Sequence, residues 1–297
     1  MKEKFFSGIY PYIVTPFNDK GHLKEGVLGD LVDHLIHKGV HGLTPLGSTG
    51  EGAYLDWPTK RRVIEVVVEA ANGRVPVIAG VNNLTTHGAV YEAAETEQLG
   101  VDGILAVLPT YFPISDQQVA AHFKAIARAV SCPVVLYTNP KFATWDFTID
   151  TLKVLVEENN IRYLKDASGN IGKLMSIVTA VGDRIKIFSA SAHIPMFVFM
   201  LGGVGWMAGP ACLIPEQSIT LYEMACQKRW EEALNLQKQL WPLNVAFQRY
   251  SLAACVKAGL EMQGFPVGVP LPPQKQLDSE GKKIVEKILR DLGALNI

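Results

Sequence analysis

Lys165 stands in "IRYLKDASGN" (161–170), directly after Ile161, Tyr163 and Leu164, which read as the last residues of a buried strand. A lysine at an apolar strand end has a concrete use. Its ordinary pKa is about 10.4, so at pH 7 well under ~0.1% is neutral amine. Burial penalises the ammonium and can bring the pKa to roughly 7–8, which makes the amine nucleophilic. A neutral lysine attacks a ketone to give an imine, and the protonated imine is an electron sink for an adjacent carbanion. That chemistry needs an acid–base group and a cradle for the substrate's charged end. Tyr137, ending the run "CPVVLYTN", could be the first. "GSTGE" (47–51) supplies the second, because the Ser48 and Thr49 hydroxyls and the backbone N–H groups around Gly50 can grip a carboxylate. Singly, each has a plainer reading: a solvated rim charge, a packing tyrosine, an ordinary turn.

The elements that must carry these residues recur along the chain. Short β-branched runs begin near residues 8, 42, 75, 103, 132, 161, 185 and 203. Between most of them lies a helical pattern. Val27, Leu28, Leu31, Val32, Leu35 and Ile36 repeat on one helix face, and Val63, Ile64, Val67 and Ala71 do the same. Ser115-Asp116 and Asp146 to Thr148 read as helix starts. Strands alternating with helices indicate βαβ units and a parallel sheet. Eight such units predict a (β/α)8 TIM barrel over 1–213, and no GxGxxG follows the first strand to favour a dinucleotide fold. The segments near 215–240, 243–262 and 279–294 read as helices of a C-terminal appendix (214–297) packed on the barrel, with "GFPVGVPLPPQ" as a connector. In such a barrel the site forms where strands end, which gathers Ser48, "PTYF" (109–112), Tyr137 and Lys165 on one rim.

Composition narrows the partners. Lys+Arg 28 against Asp+Glu 29, a net charge of -1 and 48% hydrophobic residues describe an ordinary globular chain with no basic face for nucleic acid. No apolar run reaches about 18 residues and "MKEKFFSGIY" has no apolar leader core, so membrane attachment is unsupported. Cys132, Cys212, Cys226 and Cys255 show no CxxC or zinc spacing, which fits buried thiols in the cytosol. The chain reads as cytoplasmic. His34, His37 and His41 could suggest a metal-dependent aldolase, but His34 and His37 read as the polar side of a surface helix and the rim near Lys165 offers no ligand set. No metal or cofactor is expected. His193, after the seventh strand, is the one histidine placed to touch a substrate, and Glu51 reads as an anchor for its loop.

Five motifs in order make a family resemblance specific. "VTPFNDKG", "GSTGE", "GVDGILAVLPTYF", "YTNP" and "KDASGN" resemble those of the dihydrodipicolinate synthase / N-acetylneuraminate lyase family of class I, Schiff-base-forming lyases, over nearly the full length. The resemblance implies that Lys165 forms the imine with a 2-oxo acid, usually pyruvate. It implies that Tyr137 relays protons in a hydroxyl chain with Ser48 and Tyr111. Thr49 and Ser48 would hold the carboxylate, and the backbone near Met207 would line the pyruvate site. Tyr111 would cross a tight dimer interface, so a homodimer or homotetramer follows by analogy.

Departures from the family pattern concern the second substrate. Synthases of the family carry an arginine two residues after the proline of the tyrosine motif, where it grips the semialdehyde's carboxylate. "YTNPKFATWDF" puts Phe142 there, beside Lys141. Ala190, Ser191 and Ala192 replace an acidic segment after the seventh strand, and Leu271 precedes Pro272 and Pro273 where the family has arginine–proline. These changes predict an aldolase or dehydratase acting on a 2-keto-3-deoxy-type acid with an uncharged far end, and Phe142 and Ser191 as its contacts. The alternatives are a genuine 4-hydroxy-tetrahydrodipicolinate synthase, a protein that binds 2-oxo acids without turnover, and a metal-dependent lyase.

Overall fold

Runs rich in Val, Ile and Leu become strands where both faces can be buried. Seven do so in the computed structural model, which describes residues 5–141, 143–190 and 195–295. They are β1 (Gly8–Pro11), β2 (Ile78–Val81), β3 (Gly103–Val107), β4 (Val134–Thr138), β5 (Ile161–Asp166), β6 (Lys186–Ser189) and β7 (Gly205–Ala208). All pairs are parallel, in the hydrogen-bonded order β1-β7-β6-β5-β4-β3-β2.

The run expected as a strand at 42–48 is not one. Only isolated parallel bridges form there, Tyr12 with Thr44 and Leu43 with Val77. Pro45 lacks an N–H, and Leu46 turns to φ 59, so the chain leaves the extended conformation after two residues. The segment still bonds to both edges of the sheet. Thr44 N donates to Pro11 O (3.0 Å), and Ile78 N donates to Leu43 O (2.9 Å).

Helices α1 (Glu25–His37), α2 (Trp57–Ala71), α3 (Thr86–Gln98), α4 (Asp116–Ala129), α5 (Ile149–Leu155), α6 (Ile171–Val181) and α7 (Pro195–Met200) alternate with the strands. The expected starts are real caps. Ser115 and Gln118 form a reciprocal capping box at α4, and the Thr148 side chain accepts from Thr151 N at α5. After β7 come α8 (Pro215–Cys226), α9 (Trp230–Arg249), α10 (Leu252–Met262) and α11 (Ser279–Asp291). Two boundaries differ from the sequence reading. A break at 227–229, with Lys228 at φ 58, splits the helix expected at 215–240. Conversely α9 runs through Pro242, because Leu240, Leu243, Ala246 and Phe247 keep one buried face across it.

Side chains alternate between two cores, as strand periodicity demands. Tyr10, Tyr12, Val135, Tyr137, Tyr163, Phe188 and Met207 form an aromatic-rich core within the curled sheet. Leu136 and Leu164 point the other way, into the larger core under the helices. Val256, Leu260, Val285 and Leu289 of the last helices belong to that same outer core. No helix among the described residues is long and apolar enough to cross a membrane.

Candidate active site

Tyr137 and Lys165 are direct partners in the β4–β5 register, so both side chains face the inside of the curl. Lys165 is 2% exposed, and its Nζ lies 3.6 Å from the centre of the Tyr12 ring and 3.8 Å from that of Tyr137. Two ring faces favour an ammonium by about 0.5–2 kcal/mol each. Desolvation is the larger effect and holds the Lys165 pKa well below its ordinary value. The Tyr137 hydroxyl sits 3.3 Å from Ser48 Oγ and accepts from Asn139 Nδ2 at 3.0 Å. Burial pushes the phenol pKa up, while the hydrogen bonds from Ser48 and Asn139 pull it down.

The strand ends that carry this pair are tied together. Asp166 Oδ2 lies 2.6 Å from Lys173 Nζ, which also reaches Asp146 Oδ1 at 2.7 Å, and Thr138 Oγ1 donates to the same Asp146 oxygen. Asp166 Oδ1 accepts from Ser168 N, and Asn170 caps α6. "KDASGN" is therefore a buried lysine, an anchoring carboxylate, a turn and a helix cap in sequence.

The "GSTGE" loop is held from the far end of the chain. Glu51, at φ 56, accepts from Leu271 N at 2.6 Å and from Gln274 Nε2 at 3.1 Å. Lys257 Nζ lies 2.6 Å from its other oxygen, with both side chains essentially unexposed. Glu51 is thus an anchor, as its position suggested. Thr49 Oγ1 is fully buried with no hydrogen-bond partner among the protein atoms, and so is the hydroxyl of Tyr12. A Cβ on Gly209 would come within 2.7 Å of Thr49 Oγ1, so glycine keeps the approach to that hydroxyl open.

A cavity of 280 Å³ joins Ser48, Tyr137, Lys165 and Met207 to Tyr12, and its outer wall comes from Asn244, Phe247, Tyr250 and Leu252. Lys141 is the only other cation lining it among the described residues. Three expected members stand apart. Thr49 does not itself line the cavity, although Gly209 beside its hydroxyl does. Tyr111 is 83% exposed and packs edge-on against Phe112, so a single chain does not bring it to Tyr137. Gly50 does not line the cavity. Its carbonyl accepts from Thr15 Oγ1 (2.6 Å), and a Cβ would strike Ile13 O, so it is a close-packing position. Phe142, Ser191, Ala192 and His193 lie outside the described residues.

Sequence reasoning missed Tyr12, Asn139 and Asn244. Tyr12 carried a signal, since it stands two residues after Tyr10 in the first apolar run and so shares its strand face. Asn244, 3% exposed with an unpartnered Nδ2, carried none, because nothing local tells which helix face meets a cavity. His34, His37 and His41 do not converge on this site. His34 packs against Phe265, so it is half-buried instead of solvated, and His41 bonds Ile9 N. No group of three or more His, Cys, Asp or Glu among the described residues could hold a metal ion.

The chain matches the profile of the Dihydrodipicolinate synthetase family over residues 5–292. It belongs to that family. It is 34% identical over 291 residues to a 4-hydroxy-tetrahydrodipicolinate synthase of Methanopyrus kandleri, covering 97% of each chain. The corresponding enzyme of Methanocaldococcus jannaschii is 32% identical over 98% of this chain and 100% of its own length. The solved 4-hydroxy-tetrahydrodipicolinate synthase of Methylacidiphilum fumariolicum superposes with a TM-score of 0.93 at 28% identity, over 97% of this chain and 96% of that one. The expected family is therefore the actual one, and the protein is a lyase.

Proposed function

We propose that this lyase works through an imine between Lys165 and a 2-oxo acid, pyruvate in the first instance, with no metal or cofactor. The carrying observation is an amine buried between two aromatic rings, its pKa lowered by burial alone. The neutral amine adds to the ketone at C2, water leaves, and a protonated imine remains. Loss of a C3 proton leaves its electron pair as a C2=C3 bond while the C=N π pair moves to nitrogen, giving the enamine that bonds to an aldehyde. Tyr137 carries the protons. Thr49, Ser48 and the Tyr12 hydroxyl take the carboxylate, for which two buried, unpartnered hydroxyls are the support.

For the second substrate, the relatives' names favour the synthase reading, for which the family resemblance implies aspartate semialdehyde as the aldehyde. Lys141 is then the cation for its carboxylate. A specific observation favours the second reading, an aldehyde or 2-keto-3-deoxy acid with an uncharged far end: Phe142 stands where an arginine is expected. The proposal extends to the frame: a cytoplasmic enzyme on a (β/α)8 barrel spanning 1–213 with its helical appendix at 214–297. The seam at 41–45, bonded to both sheet edges, supports a closed ring. A dimer or a dimer of dimers would give the exposed Tyr111 and Phe112 a partner site.

The test is borohydride reduction with pyruvate, read by intact mass. One adduct per chain at Lys165 is expected, and none in Lys165→Arg, whose guanidinium stays protonated. An adduct persisting in that variant refutes the assignment. Comparing kcat/KM for pyruvate with aspartate semialdehyde against turnover of uncharged-tail 2-oxo acids then decides between the two acceptors.

A further inference from the structure

A buried phenol moves protons well only if its one hydrogen points the right way. Lys141 N donates to Asn139 Oδ1 at 3.0 Å. A backbone N–H can only donate, so this contact fixes which end of the Asn139 amide is oxygen. The amide nitrogen must then face Tyr137, and it lies 3.0 Å from the phenol oxygen. Asn139 Nδ2 has no lone pair to accept with, so the Tyr137 hydrogen cannot be spent there. It is left to Ser48 Oγ at 3.3 Å or to the cavity that holds Lys165.

We propose that Asn139 is a positioning residue for the proton carrier: its amide donates to Tyr137, aims the phenolic hydrogen at the reaction site, and stabilises the phenolate when that hydrogen leaves. The inference rests on the lysine-imine reading above. Tyr111 does not reach Tyr137 within one chain, so Asn139 and Ser48 are the hydroxyl's partners there. The plainer role for Asn139 is local. Its Oδ1 closes an Asx turn onto Lys141, and that alone would account for an asparagine.

The two roles separate by substitution. Asn139→Asp keeps the acceptor for Lys141 N and removes the donor to Tyr137; Asn139→Leu removes both. The reaction to follow is exchange of pyruvate's methyl hydrogens in D₂O, which needs no second substrate. The C3–H bond of the protonated imine breaks, its electron pair becomes the C2=C3 bond as the C=N π pair moves to nitrogen, and the proton leaves through Tyr137. A deuteron returns by the reverse path, and hydrolysis releases C3-deuterated pyruvate. Both variants should exchange more slowly at neutral pH, by a factor that stays within the ~10²–10⁴-fold contributed by a whole acid–base group. The limb of the pH profile set by Tyr137 should rise by about one to two units, as expected for losing a hydrogen bond to a charged group. Borohydride should still trap one adduct per chain.

Normal exchange and an unmoved limb in Asn139→Asp would overturn the proposal. So would an impaired Asn139→Leu beside a normal Asn139→Asp, which would leave only the turn. A wild-type protein with neither adduct nor exchange would refute the imine reading instead. The contact is then read directly from Cζ of ¹³C-labelled tyrosine in ligand-free protein. Tyr137 must titrate higher in Asn139→Asp than in the wild type, and equal titration overturns the inference.

Discussion

Thr49→Val should make the protein more stable and a worse binder of pyruvate. The substitution replaces a hydroxyl by a methyl of nearly the same volume, so packing is kept. Thr49 Oγ1 is fully buried and has no hydrogen-bond partner among the protein atoms. An unsatisfied buried polar group costs about 1–3 kcal/mol, and removing it returns that amount to the folded state. Near the melting point this corresponds to roughly 2–4 °C per kcal/mol for a chain of a few hundred residues. The binding change has the opposite sign. A hydroxyl donating to a carboxylate contributes about 1.5–3 kcal/mol, so half-saturation by pyruvate should move up by roughly 10- to 150-fold. Thermal unfolding of the free protein and borohydride trapping across a pyruvate series read the two halves separately. A variant that melts lower, or that traps pyruvate at the wild-type concentration, would refute the reasoning: Thr49 would then hold up the loop and not the substrate.

Glu51→Gln should cost about 3–5 kcal/mol by leaving Lys257 buried without its counter-charge, and adding Lys257→Met should recover part of that loss in urea unfolding. Strictly additive losses would show that the pair does not interact. Tyr137→Phe should lower turnover by ~10²–10⁴-fold without unfolding the chain, and retention of more than about a third of the rate would assign the proton to another group. The initial rate of pyruvate trapping should rise with pH as Lys165 loses its proton and level off well below the ordinary lysine pKa, since burial lowers it. A rate still climbing at that value would mean the amine is solvated. Activity should survive prolonged EDTA treatment, and loss restored by a divalent ion would favour a metal-dependent lyase.

The meeting of Lys165 and Tyr137 was legible because a strand's end and its two-residue alternation can be read locally, and adjacent strands then bring the two together. The helix starts at Ser115 and Thr148 were equally local, being side chains that bond their own backbone. The stretch at 42–48 misled because its composition is that of a strand, while Pro45 and the left-handed Leu46 end its pairing after two residues. Tyr111 was assigned through resemblance, and within one chain its side chain faces solvent. Asn244 and Phe247 were invisible because their value depends on how α9 docks, which no period in the sequence encodes. Asn139 lay inside a motif already noticed. Its role emerges only once the Lys141 N–H fixes which way its amide points.

The grip on Glu51 has a consequence for the order in which the enzyme becomes competent during translation. The backbone N–H that holds its carboxylate belongs to Leu271, 220 residues downstream. At a synthesis rate of about 5–20 residues per second, the two are made roughly 10–45 s apart. By then β2 can already have met the segment at 41–45, and β4 and β5 can have paired, so Lys165 and Tyr137 can face each other early. The "GSTGE" loop lacks its anchors until Lys257, Leu271 and Gln274 have cleared the ribosome. A nascent chain can thus pair Lys165 with Tyr137 well before it is complete, and the loop at 47–51 is the part of the site secured last.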